Sequence, residues 1–125
     1  MSPKSFEWGL NLKLAEKHDD GVTMEFDLLP QFLNSQGNLH GGVTASLADE
    51  AAWHAIENKF GYGSRKSTTT ELKVNYLRPI IGDKVYARAV LVRAGQTLCV
   101  SRVDIFDEQK KLSAIGIVTY MLLPG

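Results

Sequence analysis

Residues 42–59 constrain the fold more than any other stretch. The segment is rich in alanine and contains no proline, and unbranched residues of this kind favour helix over strand. Of the fourteen residues from 43 to 56, nine are apolar: Val43, Ala45, Leu47, Ala48, Ala51, Ala52, Trp53, Ala55 and Ile56. An apolar surface that wide must be wrapped by protein on more than one side. Asn38 is the expected cap just upstream, and Gly61 and Gly63 supply the stop after Phe60.

Everything around this helix reads as strand. Residues 10–17 and 22–28 are short alternating runs, the second placing Val22, Met24, Phe26 and Leu28 on one face and Thr23, Glu25 and Asp27 on the other. His18-Asp19-Asp20-Gly21 between them is the expected hairpin turn, with Gly21 able to take a positive φ. Residues 30–39 have no period and form the loop into the helix. Downstream come runs at 66–78, 84–93, 97–106 and 111–122, separated by Pro79 with Gly82-Asp83, by Ala94-Gly95-Gln96 and by residues 107–110. Each connection reads as hairpin-short, so an antiparallel sheet is expected. The fold class is α+β: one long central helix wrapped by a curved antiparallel sheet.

Composition bounds the rest. At 125 residues the chain is expected to be one domain, residues 1–125, burying roughly two-thirds of the surface its unfolded form exposes. The 14 basic residues cancel the 14 acidic ones, so no net charge draws the chain to nucleic acid or an anionic membrane, and only a local basic patch could do so. Cys99 is the only cysteine, which excludes an intrachain disulfide and a cysteine zinc site and fits a reducing, cytoplasmic setting. Glu7 interrupts any apolar start, and no window approaches about 18 apolar residues, so neither an export signal nor a membrane span is expected.

The chemistry concentrates between Asn34 and Glu50. Gly41 and Gly42 open the helix, where glycine costs about 1 kcal/mol against alanine. The first turn of a helix carries amides without intrahelical partners and the positive end of the dipole, a place for a carbonyl oxygen that is gaining charge. Asp49 follows Gly42 by seven residues, on nearly the same helical face and among apolar neighbours, where a carboxylate needs a partner or a task. Glu50, turned about 100° away, reads as structural or solvent-facing. Gly41 and Asp49 are eight residues apart, about 12 Å along a helix axis, so they cannot both touch one carbonyl. Two antiparallel copies of the helix would bring the glycine end of one chain to the carboxylate of the other.

Other residues are weaker candidates. His40 can orient the loop or contact substrate, with its ring bonded to a backbone group as the simpler role. His18 and His54 lack metal-ligand spacing, and no metal or cofactor is expected. Cys99 reads as a small core hydrophobe.

Taken together, Asn34, His40-Gly41-Gly42, Asp49, Val74-Asn-Tyr-Leu-Arg-Pro79 and Gly82-Asp83 resemble the hotdog-fold acyl-CoA thioesterases of the phenylacetate-degradation and 4-hydroxybenzoyl-CoA types, from about residue 10 to residue 122. The resemblance implies Asp49 as nucleophile or general base, the Gly41 N–H polarising the thioester carbonyl, and Asn34 placing the thioester or the attacking water. It implies a hydroxyl on the strand after the helix; Thr69 aligns best, with Thr68 and Thr70 as register alternatives. A homodimer with shared sites, assembled into a tetramer, follows from the same likeness. Thioester hydrolysis suits such equipment, because the thiolate leaves without much protonation. Competing readings are a dehydratase or hydratase of acyl-thioesters, or a non-catalytic acyl-CoA binder. Arg78, Lys84, Arg65 and Lys66 are the candidates for the CoA phosphates, and Phe60, Tyr62, Trp53 and Tyr76 for an aromatic acyl pocket, although aromatics at such spacings are commonly core.

Overall fold

The structure is a computed structural model and describes residues 6–124; the first residues, on which the absence of an export segment was read, lie partly outside that range. A short helix α1 (Phe6–Leu10) leads into strands β1 (Leu12–His18) and β2 (Gly21–Asp27), a 3-10 turn at Pro30–Phe32, the long helix α2 (Gly41–Phe60), and strands β3 (Ser67–Tyr76), β4 (Lys84–Ala94), β5 (Leu98–Asp107) and β6 (Leu112–Leu122). The expected central helix is present, one residue longer at each end, and it stops where Gly61 takes φ 99°. Helix α1 carried no sequence signal, and it shortens the first strand by delivering Leu10 to the core.

The six strands form one antiparallel sheet in the order β1-β2-β4-β5-β6-β3. Strict alternation sends Val22, Met24 and Phe26 of β2, Val85, Ala87 and Ala89 of β4, Val103 and Ile105 of β5, and Val118 of β6 to the helix side, all nearly inaccessible. The helix meets them with Leu47, Ala48, Ala51, Ala52, Ala55 and Ile56. Alanine keeps the two layers close: a Cβ on Gly116 would stand only 3.3 Å from that of Ala48. Burying each Val, Leu, Ile, Phe or Met in this layer contributes about 1.5–3 kcal/mol.

Two local expectations need correction. Gly21 does not take a positive φ. It is glycine because the Ala89 carbonyl of the neighbouring strand occupies the space a side chain would need. The Gly82-Asp83 turn does not make β3 and β4 a hairpin. Strand β3 instead lies at the sheet edge beside β6, from Ser67 opposite Leu122 to Tyr76 opposite Ala114. Residues 77–83 cross the mouth of the helix, pinned by buried Ile80, by the Leu39 N–H donating to the Ile80 carbonyl and by the Leu28 N–H donating to the Asp83 carbonyl. One stripe of α2 is incompletely buried: Gly42 is exposed and Ser46, Asp49, Trp53 and Phe60 are half-buried, at helical spacing.

Candidate active site

The start of α2 is built around His40, not Asn38. His40 has extended backbone (φ −61°, ψ 133°) and its Nδ1 accepts the Gly42 N–H at 2.9 Å. Its carbonyl accepts from Val43 and Thr44 at 2.9 and 3.1 Å, and its own N–H donates to the Phe32 carbonyl. Asn38 is used elsewhere: its backbone closes the loop on Asn34, whose Oδ1 accepts from the N–H groups of Gln36 and Asn38. With Nδ1 accepting, the His40 ring carries its proton on Nε2. The amides of residues 42, 43 and 44 are thus engaged, while the Gly41 N–H meets no acceptor among the described residues. Tyr76 donates its hydroxyl to the Gly41 carbonyl at 2.6 Å, fixing the residue from its other end. An oriented amide at a helix N-terminus stabilises an oxygen that becomes negative. Gly41 lines a cleft of about 420 Å3 together with Asn34, Asn38, Thr44, Tyr76 and Arg78.

Asp49 lies two turns further along the helix. Its Oδ1 accepts from Thr69 Oγ1 of β3 and from the Tyr120 hydroxyl of β6, each at 2.8 Å. The same phenol reaches the Asp49 backbone carbonyl at 3.0 Å. The other carboxylate oxygen, Oδ2, takes no hydrogen bond among the described residues, and the side chain is half-buried. One oxygen is therefore held while the second is presented. Of the three threonines it is Thr69 that meets the carboxylate; Thr70 donates to the Thr119 carbonyl and Thr68 is exposed, with a bulge between Thr69 and Glu71 setting the register.

Tyr120 escaped sequence reading. The available signal was a tyrosine on the inward face of the last strand, since a buried phenol needs a hydrogen-bond partner. Burial pushes its pKa upward from the ordinary 10.0, and the Asp49 carboxylate adds to the shift against the lowering hydrogen bond from Thr69. The phenol thus remains a donor at any physiological pH. Because the folded value is raised, the unfolded chain ionises first, and stability from this group is complete below pH 10 and lost as pH climbs above it. Tyr120→Phe is expected to flatten the loss of melting temperature between pH 9 and 11 and to lower kcat about tenfold by loosening Asp49; an unchanged alkaline profile together with unchanged kcat would contradict the role of this contact.

The four basic candidates separate. Arg78 lines the cleft beside Gly41. Lys84 donates to Asp27 at 2.7 Å and Glu25 at 3.1 Å, and both contacts raise its pKa. Arg65 donates to the carbonyls of Gln96 and Leu123 near the start of β3, where Lys66 also sits. The aromatic candidates divide too: Tyr76 is at the cleft, while Trp53, Tyr62 and His54 form an edge-packed cluster, with Tyr62 and His54 Nδ1 hydrogen-bonded at 2.8 Å. Phe60 packs against the core. Cys99 is buried and its thiol is pushed up by that burial. Among the described residues no group of three or more His, Cys, Asp or Glu is placed to hold a metal, and no helix is long and apolar enough to cross a membrane.

Known proteins share this arrangement of chain. The medium/long-chain acyl-CoA thioesterase YigI of Salmonella typhimurium is 30% identical over 94% of this chain and 84% of its own. A variant of the phenylacetic acid degradation protein PaaI from Thermus thermophilus superposes with a TM-score of 0.82 at 27% identity, over 94% of this chain and 98% of that one. A thioesterase from Haemophilus influenzae gives 0.89 at 24%, over 96% and 83%. The long helix in a six-stranded antiparallel sheet is the hotdog fold of these structures. Residues 36–114, which carry the free Gly41 amide, the held Asp49 carboxylate and the strand that bears Thr69, match the Thioesterase superfamily, and the chain belongs to that family.

Proposed function

We propose that the chain hydrolyses acyl-CoA thioesters to a free acid and CoA. The observation that carries this reading is the Asp49 carboxylate, with Oδ1 held by Thr69 and Tyr120 and Oδ2 unbonded. The thioester carbonyl oxygen accepts the Gly41 N–H and gains negative charge as the carbonyl carbon is attacked. Asp49 Oδ2 either attacks that carbon, giving a mixed anhydride that water then hydrolyses, or takes a proton from an attacking water. In both routes the C–S bond breaks and the thiolate leaves. Thr69 and Tyr120 are positioning residues. His40 fixes the glycine turn, and Asn34 faces the same cleft with its carboxamide nitrogen available to the thioester or the water. A hydratase would need a histidine base, whereas His40 Nδ1 is spent on the Gly42 amide.

The site joins two chains in this reading. Gly41 and Asp49 belong to one helix and stand about 12 Å apart along it, so each carbonyl meets the amide of one protomer and the carboxylate of the other. The incompletely buried stripe of α2 and the edge strand β3, which bears exposed Leu72 and Tyr76, offer the surface for a two-fold partner. A dimer with two shared sites, paired again into a tetramer and working in the cytoplasm, is the assembly proposed. The test is thiol release from phenylacetyl-, benzoyl- and aliphatic CoA thioesters, followed with a thiol-trapping dye. Stoichiometric release from at least one class is expected. Binding of acyl-CoA without thiol release would overturn hydrolysis in favour of a binding protein, and loss of an enoyl chromophore without thiol release would point to a hydratase.

A further inference from the structure

Strand β3 is hydrogen-bonded to α2 near both of its ends. Thr69 holds Asp49 Oδ1 at 2.8 Å, and at the last residue of the strand the Tyr76 hydroxyl donates to the Gly41 carbonyl at 2.6 Å. With shared sites these two contacts serve different sites of a dimer, because the amide and the carboxylate of one helix meet different carbonyls. Thr69 steadies a charged group. Tyr76 needs another explanation, since it is 54% exposed and its hydroxyl is spent on a backbone oxygen.

The backbone around Gly41 supplies one. A peptide unit is planar, so the Gly41 carbonyl and the Gly42 N–H are opposite edges of one rigid plate. Tyr76 grips the first edge and His40 Nδ1 the second, at 2.9 Å. The preceding plate carries the His40 carbonyl and the Gly41 N–H, and its carbonyl accepts from Val43 and Thr44 at 2.9 and 3.1 Å. The Gly41 Cα is the hinge between the two plates, and glycine restrains such a hinge less than any other residue. His40, Val43 and Thr44 belong to the helix start itself and move with it. Of these contacts it is Tyr76 that ties the start to the sheet: β3 pairs with β6 as far as Tyr76 opposite Ala114, and the Leu77 N–H donates to the Ser113 carbonyl just beyond. The ring backs the glycine too, with hydroxyl and ring atoms 3.5 to 3.7 Å from where a Cβ on Gly41 would stand.

Resting on the acyl-CoA hydrolase reading with shared sites, we propose that Tyr76 is a positioning residue: from the end of β3 its hydroxyl aims the Gly41 amide at the thioester oxygen. The hydrogen bond from that amide strengthens as the oxygen gains charge, so a loosened hinge costs transition-state binding more than substrate binding. Tyr76 thereby leaves the set of acyl-pocket aromatics. What counts is its hydroxyl, and it counts equally for aromatic and aliphatic acyl groups. Each β3 then serves both sites of a dimer, one through the carboxylate of its own chain and the other through the amide of its own chain.

Tyr76→Phe keeps the ring and, at an exposed position, the fold. Its kcat for phenylacetyl- and aliphatic CoA thioesters should fall about tenfold, part of the roughly 10²- to 10³-fold that losing an oxyanion donor costs, with KM unchanged. Two purified heterodimers separate aiming from a general loss of packing, each holding one Asp49→Ala chain and so one working site. Where Tyr76→Phe lies on the Asp49→Ala chain, the working site takes its amide from that chain and should run about tenfold below the heterodimer of Asp49→Ala with wild type. Where it lies on the other chain, the working site takes its amide from the Asp49→Ala chain, whose Tyr76 is intact, and should match that heterodimer. Equal losses in both arrangements, a loss confined to one acyl class, or a Tyr76→Phe homodimer as active as wild type would overturn the positioning role. Loss only when Tyr76→Phe lies on the chain with intact Asp49 would uphold Tyr76 and overturn the shared site. Wild type that binds acyl-CoA and releases no thiol would overturn the hydrolase reading, and the positioning role with it.

Discussion

Asp49→Ala should lower kcat by at least ~100-fold in a protein that remains folded. The fold survives because the Tyr120 hydroxyl, the more deeply buried of the two donors, keeps its second acceptor, the backbone carbonyl of residue 49 at 3.0 Å, while Thr69 is only half-buried. Asp49→Asn is the sharper companion: a carboxamide oxygen in place of Oδ1 accepts from Thr69 and Tyr120 as before, but a neutral amide in place of Oδ2 is neither nucleophile nor base. Steady-state thiol release with circular dichroism on the same samples measures both. Near wild-type turnover in a folded Asp49→Ala protein would remove Asp49 from the mechanism.

Gly41→Pro should cost 10²- to 10³-fold in kcat, on the order seen for losing one oxyanion donor, with little loss of stability. Proline is favoured at the first position of a helix because its missing N–H has no intrahelical acceptor. His40 already has the extended backbone that a following proline demands. The substitution therefore deletes the amide assigned to the thioester oxygen while keeping the helix. Gly41→Ala is the control: its Cβ meets the Tyr76 hydroxyl at an ordinary 3.5 Å and the N–H is retained, so activity should stay within a few-fold of wild type. Thermal melts with kcat for both variants distinguish a lost donor from a damaged site; a proline variant as active as the alanine variant would show that the amide plays no part.

The parts of this site that sequence reveals are those whose chemistry clashes with their surroundings. Asp49 stands out as a carboxylate among apolar helix positions, and Gly41-Gly42 as poor helix formers at a helix start. Tyr120 does not stand out, because alternation marks it as one more inward aromatic; its hydroxyl acquires meaning only when β6 is placed under Asp49. The place of β3 escapes for the same reason. Turn signals at Gly82-Asp83 are local, whereas the pairing of Ser67 with Leu122 joins residues 55 positions apart. Asn38 is by propensity the better cap, yet the loop spends it on Asn34 and leaves His40 at the helix start. Lys84 looks like a free cation at a strand end until the β2–β4 register sets Asp27 opposite it. Long-range register, more than residue type, separates the legible from the illegible.

Each proposed site takes its amide from one chain and its carboxylate from another. Coexpressing Gly41→Pro and Asp49→Ala chains under different tags and isolating the dimer that carries both tests it directly. In that heterodimer one site holds both altered residues and the other holds both intact ones, so about half of the wild-type dimer's turnover should return, although each homodimer is inactive. A purified heterodimer as inactive as its parents, or a wild-type monomer of 13.8 kDa that hydrolyses acyl-CoA at full rate, would contradict the shared site.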